Sequence, residues 1–335
     1  MAREEIFSLF EIKDHLLLDK SKILKAGIKS GKTTERLFQR LALTKKIYRL
    51  LFKCKVRYLA EKINAFRWGS VYKENFCVRV RHFGKKFAMN EKEIARLIWA
   101  KLENPSVDLR NPKTLIEFFS VRNSVYCGIL IMQNHGNFES RKAHLRPFLH
   151  PSSLHPKLAR ALVNLTGIGK ENGKANAKKP VLCDPFCGTG GFLIEAELMG
   201  IRAVGYDISG KMIEGAMSNL EFFGFKDCQI SNNDATKLDK KMDYVVTDLP
   251  YGLNSNVISD YEISRKNSNN AVYDIEKFYL KFLRGIRRLL RHDAVVVFPN
   301  FVKHKKLLRK SGFNVEKEFS IYVHGSLSRI VVKIS

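Results

Sequence analysis

Two short runs in this chain hold the residue types for a group transfer. The first is Asp184-Pro185-Phe186-Cys187-Gly188-Thr189-Gly190-Gly191. Val181-Leu182-Cys183 before it reads as an apolar strand, and Gly191–Met199 after it reads as a helix. The glycines therefore fall in a strand-to-helix turn, where positive φ and close approach of backbone to a ligand are needed. A dinucleotide loop would carry G-x-G-x-x-G, with pyrophosphate on the helix N-terminus. Here the spacing is Gly188-x-Gly190-Gly191 and an acid, Asp184, opens the loop. A carboxylate repels pyrophosphate and accepts a hydrogen bond from an ammonium group. That fits S-adenosylmethionine, which has an α-amino group and no phosphate, better than NAD. Taken alone, the loop is equally compatible with an ordinary glycine-rich turn. Two further acids strengthen the cofactor reading. Arg202–Asp207 reads as a strand ending in Asp207, where α/β nucleotide folds bind ribose hydroxyls. Gln229–Asp234 reads as another ending in Asp234, suited to the adenine amino group. Each acid alone is a common strand-end or helix-capping residue; three at successive strand ends are harder to dismiss.

The second run is Thr247-Asp248-Leu249-Pro250-Tyr251-Gly252, after the apolar strand Met242–Thr247. The lone pair of an aromatic exocyclic amine is delocalised into its ring. Two fixed hydrogen-bond acceptors can draw that nitrogen toward tetrahedral geometry and take up developing positive charge. Asp248 supplies one acceptor and the Leu249 carbonyl the other, with Pro250 holding the backbone extended. Tyr251 is placed to stack on a base that has left its helix. A Pro- and Gly-containing turn after a strand is the plain alternative. Following the cofactor signals, the pair of runs implies methyl transfer to the amino group of a nucleobase.

These runs need a sheet with their ends on one edge. From Val181 onward strand and helix alternate, which predicts an α/β, doubly wound, mostly parallel sheet. Ala294–Phe298 is its fifth strand. Asn314–His324 and Ser328–Ile334, joined by a turn with Gly325, predict an antiparallel hairpin at one edge. The polar stretch between Gly252 and Val272 is expected to be a lid, with Arg265 and Lys266 as solvated or phosphate-contacting cations. Residues 167–179 read as a mobile polar loop. In the N-terminal half an apolar segment lies near Phe7–Phe10, a basic linker over 20–33 and a helix over Leu37–Phe52. Phe76–His82 reads as an exposed strand, Glu91–Leu102 as a helix and Ser124–Met132 as an apolar strand.

Of 335 residues, 59 are Lys or Arg and 33 Asp or Glu, a net charge of +26. Residues 1–150 hold 31 of those cations against 14 acids. A basic, periodic half without catalytic motifs reads as a nucleic-acid anchor, not as a disordered arm. Arg79 and Arg81 on one strand face, with Lys85 and Lys86 beyond, are the candidate phosphate contacts; a charge-protected edge strand is the alternative. No apolar stretch is long enough to span a bilayer, and the first residues lack a signal-peptide layout. The six cysteines form no Cys-x-x-Cys or Cys/His cluster, so no metal is expected, and free thiols fit a reducing cytoplasm.

The Asp184 and Asp248 runs resemble those of Rossmann-like methyltransferases that modify exocyclic amines, with their [Asn/Asp]-Pro-Pro-[Tyr/Phe] signature. Arg146–Asn164 is similar to the segment that precedes the cofactor loop in archaeal tRNA (guanine-10) N2-methyltransferases. Arg40–Tyr48, Val107–Pro112 and Val323–Ile330 resemble other parts of that family. The resemblance implies a ferredoxin-like region over 1–60, a THUMP-like RNA-binding domain over 61–135, a linker over 136–150 and a seven-stranded methyltransferase domain over 151–335. It implies tRNA as partner, a monomeric chain with a small activating protein as a candidate partner, and N2-methylguanosine or its dimethyl form as product. Ser153 and Leu154 join Asp184, Phe186, Gly188, Gly190, Asp207, Ile208, Asp234 and Ala235 as candidate cofactor residues. Asp248, Leu249, Pro250 and Tyr251 are the candidate catalytic residues, and Arg329 joins the RNA-binding set. The family usually has Pro where this chain has Leu249, which removes rigidity but leaves the needed carbonyl. The same chemistry on rRNA guanine or DNA adenine, and a non-catalytic RNA-binding subunit of the same fold, remain alternatives.

Overall fold

The computed structural model describes residues 1–19, 23–28, 32–83, 86–134, 136–150, 153–170, 179–251 and 268–335. Lys85, the heart of the 167–179 loop and most of the expected lid, with Arg265 and Lys266, lie outside them. In chain order, helix α1 (Ala2–Leu9) is followed by strands β1 (Ile12–Asp19) and β2 (Ile23–Ile28), helix α2 (Lys32–Arg40), strand β3 (Lys46–Lys55), helix α3 (Leu59–Ala65), strand β4 (Phe76–Phe83), helix α4 (Glu91–Trp99) and strands β5 (Thr114–Val121) and β6 (Ser124–Gln133). Then come α5 (Pro156–Leu165), β7 (Leu182–Asp184), α6 (Gly191–Leu198), β8 (Ala203–Asp207), α7 (Gly210–Phe222), β9 (Gln229–Asn232), β10 (Tyr244–Asp248), α8 (Ser268–Leu289), β11 (Ala294–Pro299), α9 (His304–Lys310), β12 (Val315–His324) and β13 (Leu327–Ile334).

The chain divides into two units, one of residues 1–11, 29–43 and 136–335 and the other of residues 12–28 and 44–135. This division departs from the sequence boundaries at 60 and at 136–150: α1, α2 and the stretch 136–150 all belong to the larger unit.

The larger unit is built on a seven-stranded sheet in the order β12-β13-β11-β10-β7-β8-β9. Strands β7 to β11 run parallel. Strand β13 is antiparallel to β12, as the turn at Gly325 predicts, and also to β11. Strands β10 and β11 read as continuous apolar runs because helices cover both their faces; Val245, Val246 and Ala294 to Phe298 are all buried. Helix starts are chemically marked. The Ser209 hydroxyl accepts from Met212 N to cap α7, and His155 Nδ1 accepts from Lys157 N ahead of Pro156 to cap α5. Glu195 of α6 is fully buried and accepts from Arg141 Nε and Arg160 Nε, each at 2.8 Å. A second buried group joins α1 to α5: Glu5 accepts from Ala42 N, Leu43 N and Asn164 Nδ2, and Asn164 accepts from Arg40.

The smaller unit pairs β1 with β2 and carries a four-stranded sheet in the order β3-β6-β5-β4. Trp68, Phe76, Phe118, Ile94 and Ile98 fill its core. Helix α4 begins in a capping box, Asn90 with Glu93. Two sequence expectations are corrected here. Leu37–Phe52 is not one helix: α2 ends at Arg40, and Lys46–Lys55 pairs with β6. Its apolar spacing suits either period, and the aromatic and β-branched residues Ile47, Tyr48 and Phe52 find strand partners. The basic linker over 20–33 contains β2. The strand over Phe76–His82 is an edge strand, as the alternative had it, but its first three residues are core.

Candidate active site

The two chemical runs meet because β7 and β10 are neighbours in the sheet. Asp184 ends β7 and Asp248 ends β10, on the same carboxyl edge. The Thr247 hydroxyl, fully buried, donates to Asp184 Oδ1 at 2.8 Å, and Phe186 N donates to the same oxygen at 3.2 Å. Thr247 is thus a strut between the runs that residue types alone did not reveal.

The loop after β7 turns on glycines. Gly188 and Gly190 have φ of +49° and +81°, which disfavour any side chain. Gly190 caps α6, and a Cβ there would sit 3.5 Å from the Ala216 methyl. On Gly188 a Cβ would meet nothing within 4 Å, so the backbone there is open to a ligand. Asp207, at the end of β8, accepts from Gly188 N and from Ser209 N, both at 2.9 Å. Ser153, upstream, lies 3.1 Å from the Thr189 hydroxyl, so the segment before the sheet reaches the same loop. Ile208 is exposed beside Asp207. Asp234 lies just past β9, its Oδ1 taking the Thr236 amide and hydroxyl. Leu154 and Ala235 are core residues, and Phe186 packs on Phe278 and Phe282 of α8.

Burial pushes Asp184 up to about 8 against the pull of its Thr247 and Phe186 hydrogen bonds, with Asp207 and Asp248 pushing the same way. Burial also raises Asp207. Burial resists the charged forms of these acids, and a cation arriving beside the open glycine loop would restore them, so the site suits a positively charged ligand. The residues present therefore fit the sulfonium and ammonium groups of S-adenosylmethionine.

The second run is held by side chains. Asp248 Oδ1 accepts from the Tyr251 hydroxyl at 2.9 Å, and Oδ2 accepts from Arg329 Nε at 3.3 Å. The Arg329 guanidinium lies 5.9 Å from the Tyr251 ring centre. Burial lifts Asp248 to about 6, with Arg329 the main counterweight. Leu249 is buried, and its N–H donates to Val297 O at 3.1 Å, an anchor that proline there could not provide. The Pro250 carbonyl accepts from the Tyr279 hydroxyl at 2.6 Å. Arg329, expected among the RNA contacts, is placed beside Asp248.

The other basic candidates lie in the smaller unit. Arg79 donates to the Leu109 carbonyl at 3.1 Å and pairs with Glu91, while Arg81 lies 3.7 Å from buried Glu117, which Lys46 also pairs. Lys86 is exposed. Among the described residues no cluster of His, Cys, Asp and Glu is placed to hold a metal ion, and no helix is long and apolar enough to cross a membrane.

The UPF0020 family, described as an RMKL-like methyltransferase domain, matches residues 143–329. The tRNA (guanine(10)-N2)-dimethyltransferase of Methanothermobacter thermautotrophicus is 31% identical over 307 residues, covering 89% of this chain and 84% of that protein. The enzyme of the same name from Pyrococcus abyssi is 31% identical over 338 residues, covering 98% and 94%.

Proposed function

The chain belongs to the UPF0020 family of RMKL-like methyltransferases and to the tRNA (guanine(10)-N2)-dimethyltransferase group within it, and we propose that it methylates the exocyclic N2 amine of a guanosine in tRNA, using S-adenosylmethionine. The names of its relatives point to position 10 and to two successive transfers. The observation that carries this reading is the Thr247–Asp184 hydrogen bond, which joins the glycine loop to the Asp248–Tyr251 run on one sheet edge.

Asp184 receives the cofactor's ammonium group, with Gly188 and Gly190 allowing close approach. Asp207 and Asp234 serve its ribose and adenine, Asp207 with lone pairs beyond those Gly188 and Ser209 use and Asp234 with those beyond Thr236 and Lys237. When bound, S-adenosylmethionine would supply an electrophilic methyl group on a cationic sulfur, which keeps the C–S bonding pair as a neutral thioether when the methyl leaves. Asp248 and the Leu249 carbonyl accept the two N2 hydrogens and draw the lone pair out of the ring. As that lone pair forms the new N–C bond, the nitrogen becomes acidic, and Asp248, already accepting one of its hydrogens, takes the proton. Tyr251 stacks on the base, its hydroxyl holding Asp248 meanwhile. The smaller unit, with 23 Lys and Arg against 9 Asp and Glu, is the RNA anchor and the THUMP-like region of the chain. The active form is a cytoplasmic monomer.

The test is methyl transfer by the purified chain to unmodified tRNA, followed by nucleoside digestion and mass spectrometry. N2-methylguanosine or its dimethyl form, mapped to position 10, is expected. Cofactor binding without product on tRNA overturns the substrate assignment; product restored by a small added protein identifies an activating partner.

A further inference from the structure

The hydrogen-bond ladder between β10 and β11 lacks one donor where it reaches the site. Val245, Val246, Thr247 and Asp248 stand opposite Ala294, Val295, Val296 and Val297. In this register Val245 N donates to Asp293 O at 3.3 Å and Leu249 N to Val297 O at 3.1 Å. A parallel ladder answers each such bond with one from the partner strand two residues further on, back to the carbonyl of the first residue. For Leu249 that donor would be the N–H of residue 299. Residue 299 is proline and has no N–H. Proline inside a sheet belongs on edges, at strand starts or at bulges. Pro299 instead closes β11, an interior strand, and pairs with Arg329 of β13 on its other side. The pairing with β13 continues past it, since Asn300 N donates to Ser328 O at 3.0 Å. The gap thus falls on the β10 side alone, at the Leu249 carbonyl, and among the described residues no donor is bonded to that oxygen.

We propose that Pro299 is a positioning residue: by withholding the ladder donor, it keeps the Leu249 carbonyl uncommitted as the second acceptor for the substrate amine. This rests on the reading of Asp248 and Leu249 given above. The Leu249 N–H bond fixes the peptide while the missing return bond leaves its oxygen free, and the following carbonyl, of Pro250, is already taken by Tyr279. Arg329, opposite Pro299 in the register, reaches Asp248, so one cross-strand pair serves both acceptors.

The experiment uses two full-length variants. Pro299→Ala restores the N–H. Its amide should be protected from hydrogen exchange as a ladder amide is, and kcat should fall about tenfold, the effect of engaging one of the carbonyl's two lone pairs in a competing hydrogen bond. KM for S-adenosylmethionine should not move. Replacing Pro299 by lactate, the α-hydroxy counterpart of alanine, gives an ester with neither ring nor N–H and should keep wild-type kcat. An unprotected alanine amide overturns the geometry. Equal turnover in both variants, whether at wild-type level or reduced, overturns the role of the absent donor. Failure of the underlying reading shows elsewhere, as full turnover in Asp248→Ala.

Discussion

Asp207 and Asp248 both end parallel strands of one sheet, yet different parts of the chain hold them. Both oxygens of Asp207 accept main-chain N–H groups, from Gly188 and Ser209. Both oxygens of Asp248 accept from side chains, Tyr251 and Arg329. Asp207 is therefore fastened by the fold itself, and replacing it disturbs the loop. The substrate side is an assembly of side chains on a finished sheet, where a single substitution removes chemistry and leaves the frame. The difference suits the work proposed for each side: one binds the same cofactor each turnover, and the other must grip a nitrogen whose substituents change between the first and second methyl groups.

The largest expected effect comes from removing the substrate-side acid. Asp248→Ala should lower kcat by about 10²–10³, the cost typical of losing one preorganised transition-state partner, while calorimetry finds cofactor affinity nearly unchanged. Turnover within a few-fold of wild type would break the comparison. Arg329→Met tests how Asp248 is held. Activity of the wild type should fall as pH drops through about 6, because the acceptor is then protonated. Arg329 opposes the rise of that pKa, so the variant's activity limb should move to higher pH, with about tenfold less turnover at neutral pH and recovery in alkaline buffer. A merely structural arginine would lower activity evenly across pH.

On the cofactor side the effects should appear in stability. The folded-state pKa of Asp184 is raised to about 8, so what its neutral form contributes is full in acid and lost as pH rises through that value. Asp184→Asn cannot ionise, and both native donors converge on one oxygen that the amide retains. Without cofactor it should match wild type near pH 4 and melt higher at pH 9, by roughly 2–4 °C per kcal/mol of relief. Equal melting curves at pH 9 would show that Asp184 is not strained when charged. Leu249→Pro removes the N–H bond to Val297 and part of a buried side chain, and should cost about 1–3 kcal/mol in denaturant titrations with turnover kept within a few-fold. The smallest effect should be that of any one cation of the smaller unit, although RNA affinity as a whole should fall steeply with salt. A flat salt response would remove the anchor from the proposal.

The strand-end acids, the glycine turn and the antiparallel close of the sheet were all legible in residue types and spacing, because each is a local consequence of backbone geometry. The partners of those groups were not. Arg329 lies 81 residues beyond Asp248, and only the reversed direction of β13 brings it back to the site. Thr247 looked like one more β-branched strand residue until β7 stood beside β10. Arg79 and Arg81 do share the alternation expected of an exposed face, but periodicity records which way a side chain points and not that Glu91 and Glu117 are waiting there. The helix expected over Leu37–Phe52 failed for the same reason: β6, far along the chain, decides the conformation of Lys46–Lys55.

The joint at Glu195 has a thermal consequence. Water solvates charged groups less favourably as temperature rises, so the desolvation cost of burying this carboxylate between Arg141 and Arg160 shrinks on heating. Contacts among the aliphatic side chains around it gain nothing comparable. The junction of α5, α6 and the 139–141 turn, which carries the chain toward the glycine loop, should therefore be among the last parts of the larger unit to loosen in the heat, and a hydrophobic replacement that looks harmless at room temperature should show its cost only near the melting point.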